Sequence, residues 1–339
     1  MSNIVFYAGM FFPSIGGMQI QVQMLAEQFA ALGHDVTVFT DTPSDAPDNF
    51  AFRVVRQITF SNFCSACRHA DVIITSPLSL RRMPAPLLCL RPIIVIHANP
   101  LRGANGEMRV VDRIKQLLCY RTYNVVPGRF MAGYFPSPVT IRNPFDMALF
   151  HYEGQAKSKE VLFVGRLARI KGADVLIRAI AEIAPELPPF AVTIVGDGPE
   201  KENLQALAAS LGQSQIIFAG SKQGAELAAI MRDHCILVVP STYLEPSGLV
   251  TLEGLASGCL PIVSRRGGMR ETIGPHGLDF ENGDSLDLAT KLKSVLIDPT
   301  IGERLMSGVE NHLANHTAEA VAKTYLDLIA EILHEGPRD

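Results

Sequence analysis

Short runs of β-branched residues alternate with longer Ala- and Leu-rich stretches of helical period along the whole chain. That rhythm is the signature of βαβ units around a parallel sheet, and so of an α/β protein. In the first half, strands are expected at Ile4–Ala8, Asp35–Thr40, Val72–Thr75, Ile93–His97, Tyr123–Val126 and Val139–Ile141. The second half offers Val161–Val164, Ala191–Val195, Gln215–Ala219, Ile236–Val239, Leu260–Ser264 and a weaker Leu278–Phe280. Each half reads as its own doubly wound sheet. From residue 143 to 158 the periodicity lapses: Pro144 holds Asn143 extended, and the Gly, Gln, Lys and Ser that follow carry no apolar stripe. The last stretch predicts a helix with Val321, Tyr325, Leu328 and Ile329 on one face, expected to pack across the interdomain side. The expected division is 1–145, 146–316 and a C-terminal helix at 317–339.

A chain of 339 residues fits two domains of about 150 residues each. Its 47% hydrophobic and 19% charged content excludes a disordered or fibrous protein. No apolar run approaches the roughly 18–20 residues of a spanning helix, and the chain enters a strand almost at once, so a cytoplasmic location is expected. Six cysteines at irregular spacing read as free thiols. Cys64 and Cys67 form one C-x-x-C, but no second pair lies nearby to complete a zinc site, and no metal site is expected.

Residues 1–150 carry 13 Lys+Arg against 9 Asp+Glu, and the remainder 17 against 25. Twelve of the 13 are Arg, the better partner for phosphate or carboxylate. The surplus is too small for nucleic-acid binding. Residues 108–123 read as a helix with Val111, Ile114 and Leu118 on one side and Arg109, Arg113 and Arg121 elsewhere. Packing on its own sheet is one reading; weak peripheral contact with anionic lipid at the inner face of a membrane is the other.

The most informative segment is Pro240–Glu271. A buried strand ends, a Pro-bounded loop follows, and a helix is expected to open at Ser247–Gly248, with Ser247 as its cap. The free N–H groups of Gly248, Leu249 and Val250 then form a phosphate seat backed by the helix dipole. Glu245 and Glu253 flank that helix start, a spacing suited to sugar hydroxyls on one side of a diphosphate and ribose on the other. The bland alternative is a loop charge and an exposed helix residue.

A second strand ends in Gly165 and leads into a loop carrying Arg166 and Lys171, two cations at the carboxyl edge of a parallel sheet where such folds bind ligands. They could neutralise a diphosphate, or be solvated charges. Gly196, Asp197 and Gly198 form a further strand-end turn that lets a nucleoside approach the backbone.

Gly165-Arg166 with Lys171-Gly172, Gly196-x-Gly-Pro, Glu245-Pro-x-Gly-Leu-x-x-x-Glu253 and Gly267-Gly-x-x-Glu271 together resemble the retaining GT-B glycosyltransferases of family 4, across residues 158–290. The resemblance implies two Rossmann-like doubly wound domains facing each other across a cleft. It implies that Arg166 and Lys171 hold the diphosphate, Glu245 the donor-sugar hydroxyls and Glu253 the ribose. The Gly248–Val250 amides would take the distal phosphate and sugar. In the N-terminal half it implies a loop with Gly16 and Gly17 closing over the donor phosphates, and His97, at a strand tip, contacting the donor sugar. His97 could equally be a structural strand-end histidine. The short stretch from Thr40 to Asp71, and Asn143-Pro-Phe-Asp146 where the family has N-G-V-D, leave acceptor identity open.

The resulting expectation is a retaining transferase moving a sugar from a nucleotide-diphosphate sugar, UDP favoured, to a hydroxyl acceptor in glycan, glycolipid or natural-product biosynthesis. The nucleotide sugar is a co-substrate, and no cofactor or metal is expected. A nucleotide-sugar epimerase or other non-transfer GT-B enzyme is the alternative. A phosphorylase would need a cofactor lysine and a longer chain. A dehydrogenase would need G-x-G-x-x-G, whose spacing Gly9, Gly16 and Gly17 do not give. A dead scaffold would have lost the cations or the Glu pair.

Overall fold

Buried β-branched runs with no polar alternation can only be satisfied in a sheet covered on both faces. The structure, a computed structural model describing residues 1–14, 16–101 and 108–335, builds two such sheets. Seven parallel strands form the first: β1 (Asn3–Ala8), β2 (Asp35–Thr40), β3 (Arg53–Val55), β4 (Val72–Ser76), β5 (Ile93–Ile96), β6 (Tyr123–Val126) and β7 (Val139–Thr140), in the order β3-β2-β1-β4-β5-β6-β7. Six form the second: β8 (Lys159–Val164), β9 (Val192–Val195), β10 (Ile216–Gly220), β11 (His234–Val239), β12 (Leu260–Ser264) and β13 (Leu278–Phe280), in the order β10-β9-β8-β11-β12-β13. Every expected strand forms within two residues of its expected bounds. The strand not expected, β3, is a three-residue edge strand with an exposed first residue, too short to show an apolar pattern.

The fold is thus two Rossmann-like parallel-sheet domains. Contacts divide the chain into Met1–Pro144 with His316–Asp339, and Phe145–Asn315. In the first unit, the helices Gly17–Ala31 and Ala318–Glu335 cover one face of the sheet, where Phe6, Phe29, Val321, Tyr325 and Ile329 share one buried cluster. The other face is covered around Phe63 and Cys67, and around Val95 and Cys119.

In the second unit, helix Ala173–Ile183 lays Leu176, Ile177 and Ile180 on one face, each fully buried. Burying such a side chain contributes about 1.5–3 kcal/mol. Helix Leu249–Ala256 packs on the other face with Leu252 and Leu255. The chain runs outward from β8 through β9 to β10, then returns to the far side of β8 for β11, β12 and β13. The strand order therefore reverses between β8 and β11, and it is outside the carboxyl ends of strands at such a reversal that sheets of this kind bind ligands. Among the described residues, no helix is long and apolar enough to cross a membrane.

Candidate functional site

The loop leaving β8 is fixed by its neighbours. Gly165 donates its N–H to the Val195 carbonyl at 3.0 Å, and Leu167 to the Asp197 carbonyl at 2.9 Å. Gly196 and Gly198 lie so close to this loop that a Cβ on either would strike the backbone of Gly165 or Leu167. Their small size is used by the chain itself. Arg166 projects from the loop, exposed. A 3-10 turn, Arg169–Lys171, then leads to Gly172, in left-handed backbone at φ +68° and pressed against the Pro240 carbonyl. Only glycine takes both that conformation and that contact easily. The consequence is that Lys171, from the end of β8, stands beside the loop that follows β11.

There it meets Glu245. Lys171 Nζ donates to Glu245 Oε1 in an ion pair, and Ser241 Oγ donates to the same oxygen at 2.8 Å. Glu245 is buried while Lys171 is half-buried. The Glu245 loop is held from behind: its carbonyl accepts from the Gly268 N–H at 2.7 Å, and Gly268 lies too close to the Pro246 carbonyl for any side chain. That is the use of the Gly267-Gly268 pair.

Helix Leu249–Ala256 opens differently from expectation. The residue at its cap is Gly248, at φ +76°, and no side chain caps it; Ser247, expected there, is buried one residue earlier. The left-handed turn at Gly248 is what a Ser would have resisted. Among the described residues, no acceptor meets the N–H groups of Gly248, Leu249 or Val250. They are the unsatisfied donors of a helix start, with its positive dipole end behind them.

Glu253 follows in the second turn of this helix. Among the described residues its carboxylate takes no hydrogen bond. Burial pushes the carboxyl up to about 7, and the neighbouring Asp146 carboxylate adds to the rise. A carboxylate so placed gains from any hydroxyl that donates to it. The Phe145–Asn315 unit therefore gathers Gly165, Arg166, Lys171, Gly196, Glu245, Ser247, Gly248, Leu249, Val250 and Glu253 around the ends of β8, β9 and β11.

The N-terminal unit holds the other residues singled out. His97 follows β5, buried, its ring stacked on Phe135 at 3.7 Å between centroids. Its Nε2 stands 3.0 Å from Asn124 Oδ1. The Asn124 amide donates to the carbonyls of Cys119 at 2.7 Å and Pro136 at 2.9 Å, which fixes its oxygen toward the histidine. Nε2 is thus the protonated nitrogen and Nδ1 the acceptor. Burial lowers the ring to about 4, so it is neutral near pH 7. Gly16, extended at φ −172°, caps helix Gly17–Ala31 without a side-chain bond, and Gly17 is exposed.

Sequence reasoning passed over Asn124 and Ser241. An Asn within the buried strand β6 was a signal, since an amide there must find partners. Ser241, four residues before Glu245, carried no comparable mark. Among the described residues, no group of three or more His, Cys, Asp or Glu could hold a metal ion. Cys64 and Cys67 are free thiols, and burial pushes Cys67 up to about 12.

With this geometry in place, comparisons with known proteins bear on it directly. Residues 150–312 match the family described as glycosyl transferases group 1. A D-inositol 3-phosphate glycosyltransferase of Corynebacterium jeikeium is 34% identical over 192 residues, 54% of this chain and 46% of that protein. A sulfoquinovosyl transferase of Arabidopsis thaliana is 32% identical over 150 residues, 43% of this chain and 28% of that protein. The matched region thus spans less than half of each relative. Among solved structures, the sucrose-phosphate synthase of Thermosynechococcus elongatus superposes with a TM-score of 0.80 at 20% identity, covering 98% of this chain and 100% of the other. HepE of Anabaena, solved in complex with UDP and glucose, gives 0.80 at 17%, covering 98% and 100%. At these identities the likeness shows the fold.

Proposed function

We propose that this chain, whose residues 150–312 match the glycosyl transferases group 1, moves a sugar from a nucleotide-diphosphate sugar to a hydroxyl acceptor with retention at the anomeric carbon, as in family 4. The observation that carries the reading is the Lys171–Glu245 pair set beside the open helix start at Gly248. Cation and free amides suit a diphosphate. The carboxylates on either side suit the hydroxyl groups that flank one.

When the glycosidic bond breaks, negative charge collects on the leaving diphosphate. Lys171, Arg166 and the N–H groups of Gly248–Val250 stabilise it by charges and dipoles already in place, which makes a divalent ion unnecessary. Glu245 takes hydroxyls of the transferred sugar and Glu253 those of the ribose. With no enzymic nucleophile assigned, the departing phosphate oxygen receives the acceptor's proton on the face that the acceptor attacks.

A UDP-sugar is the favoured donor, since HepE, which shares this fold, is solved in complex with UDP and glucose. Thermal stabilisation by UDP-, GDP- and ADP-sugars tests the reading before any acceptor is known. One donor should raise the melting temperature of the native chain and not that of Lys171→Ala. Stabilisation by none of them, or equally of both proteins, would overturn it.

A further inference from the structure

The helix Val110–Leu118, with the turn Cys119–Arg121 after it, sits the wrong way round for a soluble domain. A surface helix normally turns its apolar stripe to the core and its charges to water. Here Asp112 and Cys119, two turns apart, are buried, and Leu118 is the one apolar residue of the helix that packs inward, with Cys119, on the cluster of Val95, Val126 and Met131. The opposite side carries Val110, Ile114 and Leu117 at i, i+4 and i+7. Val110 is 73% exposed and Leu117 68%, and Val111 and Tyr120 beside them are exposed as well.

The sequence on both sides of the helix is rich in cations. Residues 81–142 contain 10 Lys+Arg against 2 Asp+Glu. One of the two acids, Asp112, is turned inward and held by Arg109 at 2.9 Å. Arg113 and Arg121 are exposed next to the stripe, and Lys115 is half-buried.

We propose that this face of the N-terminal unit docks on an anionic lipid bilayer, with the helix lying in the interfacial plane. The apolar stripe enters the acyl boundary while the cations meet the headgroups, two terms that reinforce each other. A second copy of the chain fits poorly, since it would bring the same unbalanced cations to the contact. An apolar protein partner would leave those cations unanswered.

Co-sedimentation with vesicles tests this. The full chain should pellet with phosphatidylglycerol in phosphatidylcholine, and about tenfold less with phosphatidylcholine alone or at high salt. Ile114→Asp with Leu117→Asp should abolish pelleting without lowering the melting temperature, because both side chains already face water. Arg113→Gln with Arg121→Gln should remove only the part that depends on anionic lipid. Failure to pellet with the anionic vesicles, or pelleting that survives both pairs, would overturn the proposal. So would a concentration-dependent dimer seen by light scattering and lost in Ile114→Asp, in a chain that ignores vesicles.

Discussion

Lys171 and Glu245, 74 residues apart in sequence, form an ion pair at the carboxyl ends of β8 and β11, and Ser241 donates to the same carboxylate oxygen. The proposed phosphate cation is thus held by the proposed sugar carboxylate. Losing Lys171 leaves a buried carboxylate short of its partner, which costs about 1–3 kcal/mol of stability. Lys171→Met should therefore lose stability in denaturant titration. Lys171→Met with Glu245→Gln should recover most of it, a coupling that a double-mutant cycle reads out. Turnover should stay about a hundred- to a thousandfold down in both, because the leaving-group charge is still unmet.

Glu253 should make stability fall as pH rises. Its carboxyl sits at about 7, above the ordinary 4.5, so the folded chain holds this proton more tightly than the unfolded one. The contribution is present below 4.5 and is lost as pH rises through 7. Glu253→Gln should then be more stable than the native chain at pH 8, by about 1–3 kcal/mol, and equal to it near pH 4. Thermal melts at the two pH values check this.

The two carboxylates should separate kinetically. A ribose contact is the same in ground and transition states and shows in affinity, whereas a contact to the reacting sugar tightens as its ring becomes positive. Glu253→Gln should raise the KM for donor and the Kd of the bare nucleoside diphosphate while sparing kcat. Glu245→Gln should lower kcat and leave bare-nucleotide binding nearly unchanged. Calorimetry and steady-state kinetics on both variants decide it, and the reverse pattern would turn the proposed donor orientation around.

His97 should stay neutral down to about pH 5. Burial lowers its ring to about 4, so its contribution to stability is full above 6.5 and is lost as pH falls toward 4. Nitrogen NMR should show the proton on Nε2. Asn124→Leu should release that tautomer and strip the Cys119 and Pro136 carbonyls of their donor, costing about 2–4 kcal/mol.

What could be read in advance follows from which physics is local. The strands were legible because a strand buried on both faces must be an uninterrupted apolar run, as in Ile73-Ile74 or Leu237-Val238. The site loops were legible because Gly172 and Gly248 need left-handed backbone, which marks the turn in the sequence itself. The Lys171–Glu245 pair was not, since it depends on Gly172 packing on Pro240 across two strands. Nor was the orientation of Val110–Leu118. Its period suggests a stripe of Val111, Ile114 and Leu118, but the structure divides it: Leu118 packs inward with Cys119, while Val110, Val111, Ile114 and Leu117 stay exposed.

The most direct test of glycosyl transfer from this site is proton NMR of the sugar first released when the stabilising nucleotide sugar is incubated with the chain in EDTA. The account predicts release of a sugar that keeps the donor's anomeric configuration before mutarotation, at a rate the chelator does not change and about a hundredfold or more above that of Lys171→Ala. A sugar of inverted configuration, release that requires added magnesium or manganese, or equal release by the variant would contradict it.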